Sequence, residues 1–197
     1  MANILRETVR GIDRVCIDDE MMKNRKIFFT GKVNGKSANE LIKQLMYLEE
    51  AGCGEEITLY INSPGGEVAS GLAVYDVIRL MESPVNTVCV GMAASMGAIL
   101  FLAGEHRSML PHTRLMIHDP SYGGGSIGGK KPHEIRRELD KLNETRTALA
   151  EIIAEKTGKS VEEIYKVTAE DTYYSAEEAL AFGLATGIIT KEGGLKM

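Results

Sequence analysis

Ser95 lies in the string GMAASMGA (91–98), between a β-branched run, VNTVCVG, and a second apolar run, AILFLAG. A hydroxyl in such a setting can act as a nucleophile if a tight strand-to-helix turn presents it. That turn requires small residues two before and two after the serine. Ala93 and Gly97 meet the steric requirement, although the G-x-S-x-G form itself is absent. Acyl transfer also needs amide donors where the oxyanion develops. The N–H of Met96 would be one. The preceding strand-to-helix join, INSPGGEV (61–68), carries Gly65-Gly66 and could supply the other, because glycine lets the backbone approach a ligand closely. Taken singly, each string suits an ordinary packing turn equally well.

A serine nucleophile needs a base. His106 and His112 fall in the short connection EHRSMLPHT and read as surface residues; His133 opens a long helix, where a solvated histidine is the default. His118 differs, because it ends an apolar strand containing Leu115 and Ile117. Sites in parallel α/β sheets gather at the carboxyl ends of strands. An acid must then orient the imidazole. Asp171, in TAEDTYYS, is the first candidate, with Asp119 and Glu170 as rivals. Successive strand residues point to opposite faces, so Asp119 is poorly placed to take the proton of its neighbour's ring. Glu170 stays open on chemistry. No metal constellation is present, neither H-E-x-x-H nor paired cysteines nor an acidic calcium loop, and no cofactor is expected. G-x-x-x-x-G-K-[ST] is also missing, so the chain has no nucleotide-binding loop of that kind.

The elements that must position these residues alternate. RKIFFTGKV (25–33), EITLYIN (56–62), VNTVCVG (85–91) and TRLMIHD (113–119) read as strands. Between them, helices are predicted from a capping box at Ser37-Ala-Asn-Glu40, over 67–81, and through ASMGAILFLAG. This order predicts an α/β fold of βαβ units with a largely parallel sheet. After Pro120 a glycine-rich stretch, SYGGGSIGGKKP, reads as a loop. A long helix follows over about 132–157, with Ile135, Leu139, Leu142, Leu149 and Ile153 on one face. Capping boxes at Ser160 and Ser175 open two more helices, and LATGIIT reads as a last strand.

With 197 residues, 44% of them apolar and 26% charged, the chain suits one globular domain over 25–197, preceded by a weakly patterned arm, 1–24. The net charge of −5 argues against nucleic acid, which needs a basic face. Cys16, Cys53 and Cys89 are too far apart for a zinc site and read as reduced thiols. The charged start, MANILRETVRGIDR, lacks an apolar signal region, and no apolar run is long enough to span a bilayer, so no membrane association and a cytoplasmic location are expected.

YINSPGGEVASG, GMAASMGA, MIHDP and DTYYSAEEALAFGL, in that order, closely resemble the proteolytic-subunit family of the Clp protease, a self-compartmentalised serine peptidase. The likeness runs from about residue 25 to 190. It implies a crotonase-like fold with a protruding handle over about 119–157, carried by the long helix. It also implies Ser95 as nucleophile, His118 as general base and Asp171 as orienting acid, with the N–H groups of Gly66 and Met96 forming the oxyanion hole. The spacing of Asp171 before the Ser-Ala-x-Glu-Ala segment favours it over Glu170. The family assembles into heptameric rings stacked as tetradecamers, and a hexameric AAA+ ATPase threads unfolded proteins into them. Any ATP dependence would thus reside in another chain. Crotonase-like acyl-CoA hydratases share the two-amide hole, but they generally act through carboxylates and need no serine at this turn. Three departures stand out: His118-Asp119-Pro120 replaces the usual His-Gln-Pro, the glycine-rich loop is longer, and Thr172 replaces an arginine used between rings. A catalytically inactive ring subunit is the alternative reading.

Overall fold

The computed structural model describes residues 3–9, 11–121 and 129–191. Most of the glycine-rich stretch expected as a loop lies outside them. At the N-terminus, where the sequence suggests an arm, β1 (Asn3–Thr8) and β2 (Gly11–Cys16) pair as an antiparallel hairpin and lead into α1 (Ile17–Lys23). The hairpin leaves Ile4, Leu5 and Ile12 exposed.

A second sheet carries the rest of the strands. Its path runs β3 (Lys26–Thr30), β4 (Ile57–Ser63), β5 (Val85–Ala94), β6 (Arg107–Met109) and β9 (Gly187–Ile188), all parallel. The predicted alternation is realised by α2 (Gly35–Ala51), α3 (Val68–Leu80) and α4 (Met96–Leu102) between these strands. Along β4, Ile57, Leu59, Ile61 and Ser63 are wholly buried, as a period-2 strand under a helical layer requires. Its other face is thinner: Tyr60 stacks on Phe28 across the strand pair, ring centroids 5.1 Å apart, with Phe28 half exposed. α4 is buried along its whole length.

Two features shape the carboxyl edge of this sheet. First, β5 changes partner along its length. Thr87–Cys89 pair with β6, whereas Met92–Ala94 pair with β7 (Arg114–Ile117). The change occurs around Gly91, where an added Cβ would come within 2.6 Å of Asn62 Oδ1. Second, β8 (Thr172–Tyr174) lies antiparallel to β7, with Ile117 opposite Thr172.

Two sequence expectations are corrected. α2 starts a turn before Ser37: Asn34 is the cap, its side chain accepting from the Lys36 and Ser37 N–H groups, and Ser37 Oγ closes the box as the third residue. β6, only three residues long, is a strand that the sequence pattern does not mark. The apolar stripe of α5 (Pro132–Thr157) is buried only at Leu149, Ala150 and Ile153, and Leu139 is exposed. The first half of the helix carries its stripe beyond the elements that cover the second half. The caps at Ser160 of α6 (Val161–Thr168) and Ser175 of α7 (Ala176–Phe182) form as expected. Among the described residues no helix is long and apolar enough to cross a membrane, and the three cysteines are free thiols.

Arg107 ties this framework together from inside. It is buried, and its guanidinium donates to the carbonyls of Leu184 (2.9 Å), Gly183 (3.2 Å) and Lys156 (3.2 Å). These acceptors lie at the C-terminal ends of α5 and α7, where carbonyls lack helical partners. Burial pulls the guanidinium pKa down, but three carbonyl acceptors hold the cation in place. Replacing Arg107 with Met strands those carbonyls. The expected loss is about 3 kcal/mol, seen as a fall of roughly 6–12 °C in the thermal midpoint by calorimetry.

Candidate active site

Ser95 joins β5 to α4 with φ 54° and ψ −124°, a conformation in which side-chain-bearing residues are rare. Such strain costs about 1–3 kcal/mol and persists only where the surroundings enforce it. Here the enforcement is visible on both sides of the residue. The Ser95 N–H donates to Met116 O of β7 (2.9 Å), and the Ser95 carbonyl accepts from Ala98 (2.9 Å) and Ile99 (3.2 Å) of α4. The small flanking residues have a clear purpose at Gly97, where a Cβ would lie 2.8 Å from Ser63 O.

The Pro64–Glu67 turn backs directly onto this elbow. Gly65 has φ +89°, and a methyl there would approach Ala94 O to 2.6 Å, Ser95 Cβ to 2.7 Å and Met96 N to 2.9 Å. Gly66 follows at φ +153°, with the Val33 carbonyl where its Cβ would sit. Val33 anchors the turn through two bonds, Val33 N–H to Gly65 O and Glu67 N–H to Val33 O, both 2.9 Å. Those bonds skip the Gly66 N–H. The Met96 N–H likewise precedes the first intrahelical bonds of α4. Among the described residues, neither amide donates a backbone bond within its own turn, and the two turns that carry them lie against each other beside Ser95.

His118 follows the last residue of β7, and one further step of the β7–β8 register puts Asp171 opposite it. His118 Nε2 lies 2.9 Å from Ser95 Oγ, and Nδ1 lies 3.2 Å from Asp171 Oδ1. A carboxylate only accepts, so a ring proton on Nδ1 would face Asp171 and leave Nε2 to accept from the serine hydroxyl. The imidazole is largely sheltered, whereas the Asp171 side chain is 60% exposed.

The rival residues go elsewhere. Asp119 turns away from the ring and bonds Thr168 and Arg146. The ring's Nδ1 faces Asp171 rather than Glu170. His106, His112 and His133 are exposed. Among the described residues no group of His, Cys, Asp and Glu could hold a metal.

Beside Ser95 and His118 a small cavity opens, walled by Val68, Ile99, Ile117, Leu149 and Ile153. No sequence motif marks these walls. The only available signal is the apolar stripe of α5, in which the residues facing a cavity and those facing the core look alike.

A hydroxyl, an imidazole and a carboxylate in line at strand ends of a parallel-sheet α/β fold are the groups that nucleophilic acyl transfer requires. The comparisons with known proteins agree and are narrower. The model of the family described as Clp protease matches residues 10–192, so the chain belongs to the Clp protease family. It is 36% identical over 192 residues to a protein of Leuconostoc citreum (strain KM20) named "ATP-dependent Clp protease proteolytic subunit", with 96% of this chain and 95% of that one covered.

The strained elbow makes a prediction of unusual sign. Ser95→Gly relieves the positive φ and should raise the thermal midpoint by about 2–4 °C. Gly65→Ala, which forces a methyl into the elbow, should lower it by roughly 6–12 °C. Calorimetry on the two variants checks both.

Proposed function

We propose that this chain is a serine endopeptidase, the proteolytic subunit of an ATP-dependent Clp protease, with residues 25–197 as its peptidase domain. The observation that carries the reading is the 2.9 Å approach of His118 Nε2 to Ser95 Oγ at a strained elbow against which the glycine turn packs. In this reading His118 takes the Ser95 proton as Oγ attacks a peptide carbonyl. The N–H groups of Gly66 and Met96 hold the oxyanion, each worth about 3 kcal/mol of transition-state stabilisation. The imidazolium, steadied by Asp171, then protonates the leaving amine, and water, activated by the same ring, hydrolyses the acyl-enzyme.

The name of the Leuconostoc relative supports a partnership with an ATPase. We assign ATP use to that partner, a hexameric AAA+ unfoldase, and to this chain only hydrolysis of the unfolded polypeptide, in the cytoplasm and within heptameric rings stacked as a tetradecamer. The uncovered apolar residues on the hairpin and on α5 fit a chain that associates.

Fluorophosphonate labelling is the direct test. Ser95 should react and Ser95→Ala should not, with peptide hydrolysis falling by about 10⁴-fold or more while the fold is retained. Unchanged turnover in Ser95→Ala would end the proposal. The walls of the adjoining cavity make a second prediction. Fluorogenic peptides with Leu or Met before the scissile bond should exceed those with Asp or Lys there by at least 10-fold in kcat/KM, roughly the discrimination an apolar pocket gives.

A further inference from the structure

The base of the site has a weak point. His118 stands just beyond β7, its carboxylate partner is largely exposed, and an exposed ion pair holds geometry only loosely. The next residue supplies what the imidazole lacks. The Asp119 N–H donates to Thr168 O at 2.6 Å, Thr168 Oγ1 reaches Asp119 Oδ1 at 2.7 Å, and Arg146 Nε lies 2.7 Å from Asp119 Oδ2. The last is an ion contact without hydrogen-bond alignment of that N–H.

Each anchor is itself held. Thr168 is buried at the end of α6, its hydroxyl also within 3.0 Å of Ile164 O. The Arg146 guanidinium lies over the Tyr165 ring, 4.1 Å from its centroid, and the Tyr165 hydroxyl meets Thr147 Oγ1 at 3.0 Å. Because neighbouring residues of an extended chain face opposite ways, pinning Asp119 outward turns His118 inward, toward Ser95. Arg146 also shares its helical face with Leu149 and Ile153, three and seven residues on, which wall the cavity beside Ser95.

We propose that Asp119 is a positioning residue for the peptidase reaction, holding the His118 imidazole in register through Arg146 of α5 and Thr168 of α6. The inference rests on the peptidase reading above. It makes α5 a strut that sets the base and the pocket wall together, so a substrate residue seated on Leu149 and Ile153 bears on the helix that fixes the base.

The test uses Asp119→Asn, which is nearly isosteric and keeps the acceptor for Thr168, and Arg146→Gln, on a partly exposed helix surface. Amide hydrogen exchange over Ile117–Asp119 should rise about tenfold in both variants while β4 and α2 are unchanged. The rate of Ser95 acylation by a fluorophosphonate, and kcat for a short peptide, should fall about tenfold with KM within twofold. The double variant should be no worse than the single ones, since both break one link, and Arg146→Lys should recover most of the rate. A lower thermal midpoint with unchanged exchange and acylation would overturn the proposal, as would additive losses in the double variant. An unmodified protein whose Ser95 ignores the reagent would instead overturn the peptidase reading, with the exchange measurement still deciding whether Asp119 anchors the segment.

Discussion

The site depends on two backbone turns touching where no side chain fits between them. The Pro64–Glu67 turn at the end of β4 and the Ser95 elbow at the end of β5 approach so closely that a methyl on Gly65 would overlap Ala94, Ser95 and Met96 together. Parallel strands deliver their carboxyl ends to the same edge of a sheet, which brings the two turns side by side. Glycine at 65 and 97 then permits contact. That contact accompanies the positive φ of Ser95 and sets the glycine turn directly against the residue. Hydrogen bonds from β7 and α4 hold the elbow from outside, so the strain is distributed over three elements.

A second constraint brings the ring and the carboxylate. β5 exchanges β6 for β7 partway along, which lets β7 end level with the elbow instead of running past it. The bond from Ser95 N–H to Met116 O then fixes the offset between serine and histidine at two residues of extended chain. Antiparallel pairing of β8 continues the alignment to Asp171. The Asp171–His118 pair, with one partner mostly exposed, adds only about 0–1 kcal/mol to stability. Its consequence is orientation, since Nδ1 faces the carboxylate and Nε2 faces Ser95 Oγ.

Much of this was legible in the sequence because its signals are local. Small residues around Ser95, Gly65-Gly66 after a strand, a histidine at a strand end and the caps at Ser160 and Ser175 each report on a few neighbouring positions. The structure brings Ser95, His118 and Asp171 to one point, and it also shows where locality fails. Ser37 looked like a cap because Glu40 follows it at box spacing, yet Asn34 outcompetes it, with a side chain that accepts from two amides. β6 is too short to show a period. The role of Asp119 was invisible, since its partner Thr168 is 49 residues away and no pattern within either segment announces the other.

The long helix divides the same way. A stripe at Ile135, Leu139, Leu142, Leu149 and Ile153 marks one face of the helix, but 26 residues extend about 39 Å, and only the C-terminal part of that face is buried. Coverage ends near Arg146. C-terminal to that point the helix belongs to the core: Leu149 and Ile153 are buried against it, and Arg107 grips the last-turn carbonyl at Lys156. N-terminal to it, among the described residues, Ile135 and Leu142 are half-buried and Leu139 is exposed. Arg146 sits at the junction, its guanidinium over the Tyr165 ring and in ion contact with Asp119, the residue next to His118. The helix thus meets the segment after β7 at two levels, through the Arg146–Asp119 ion contact and through Leu149 and Ile153, which wall the cavity beside Ser95 and His118.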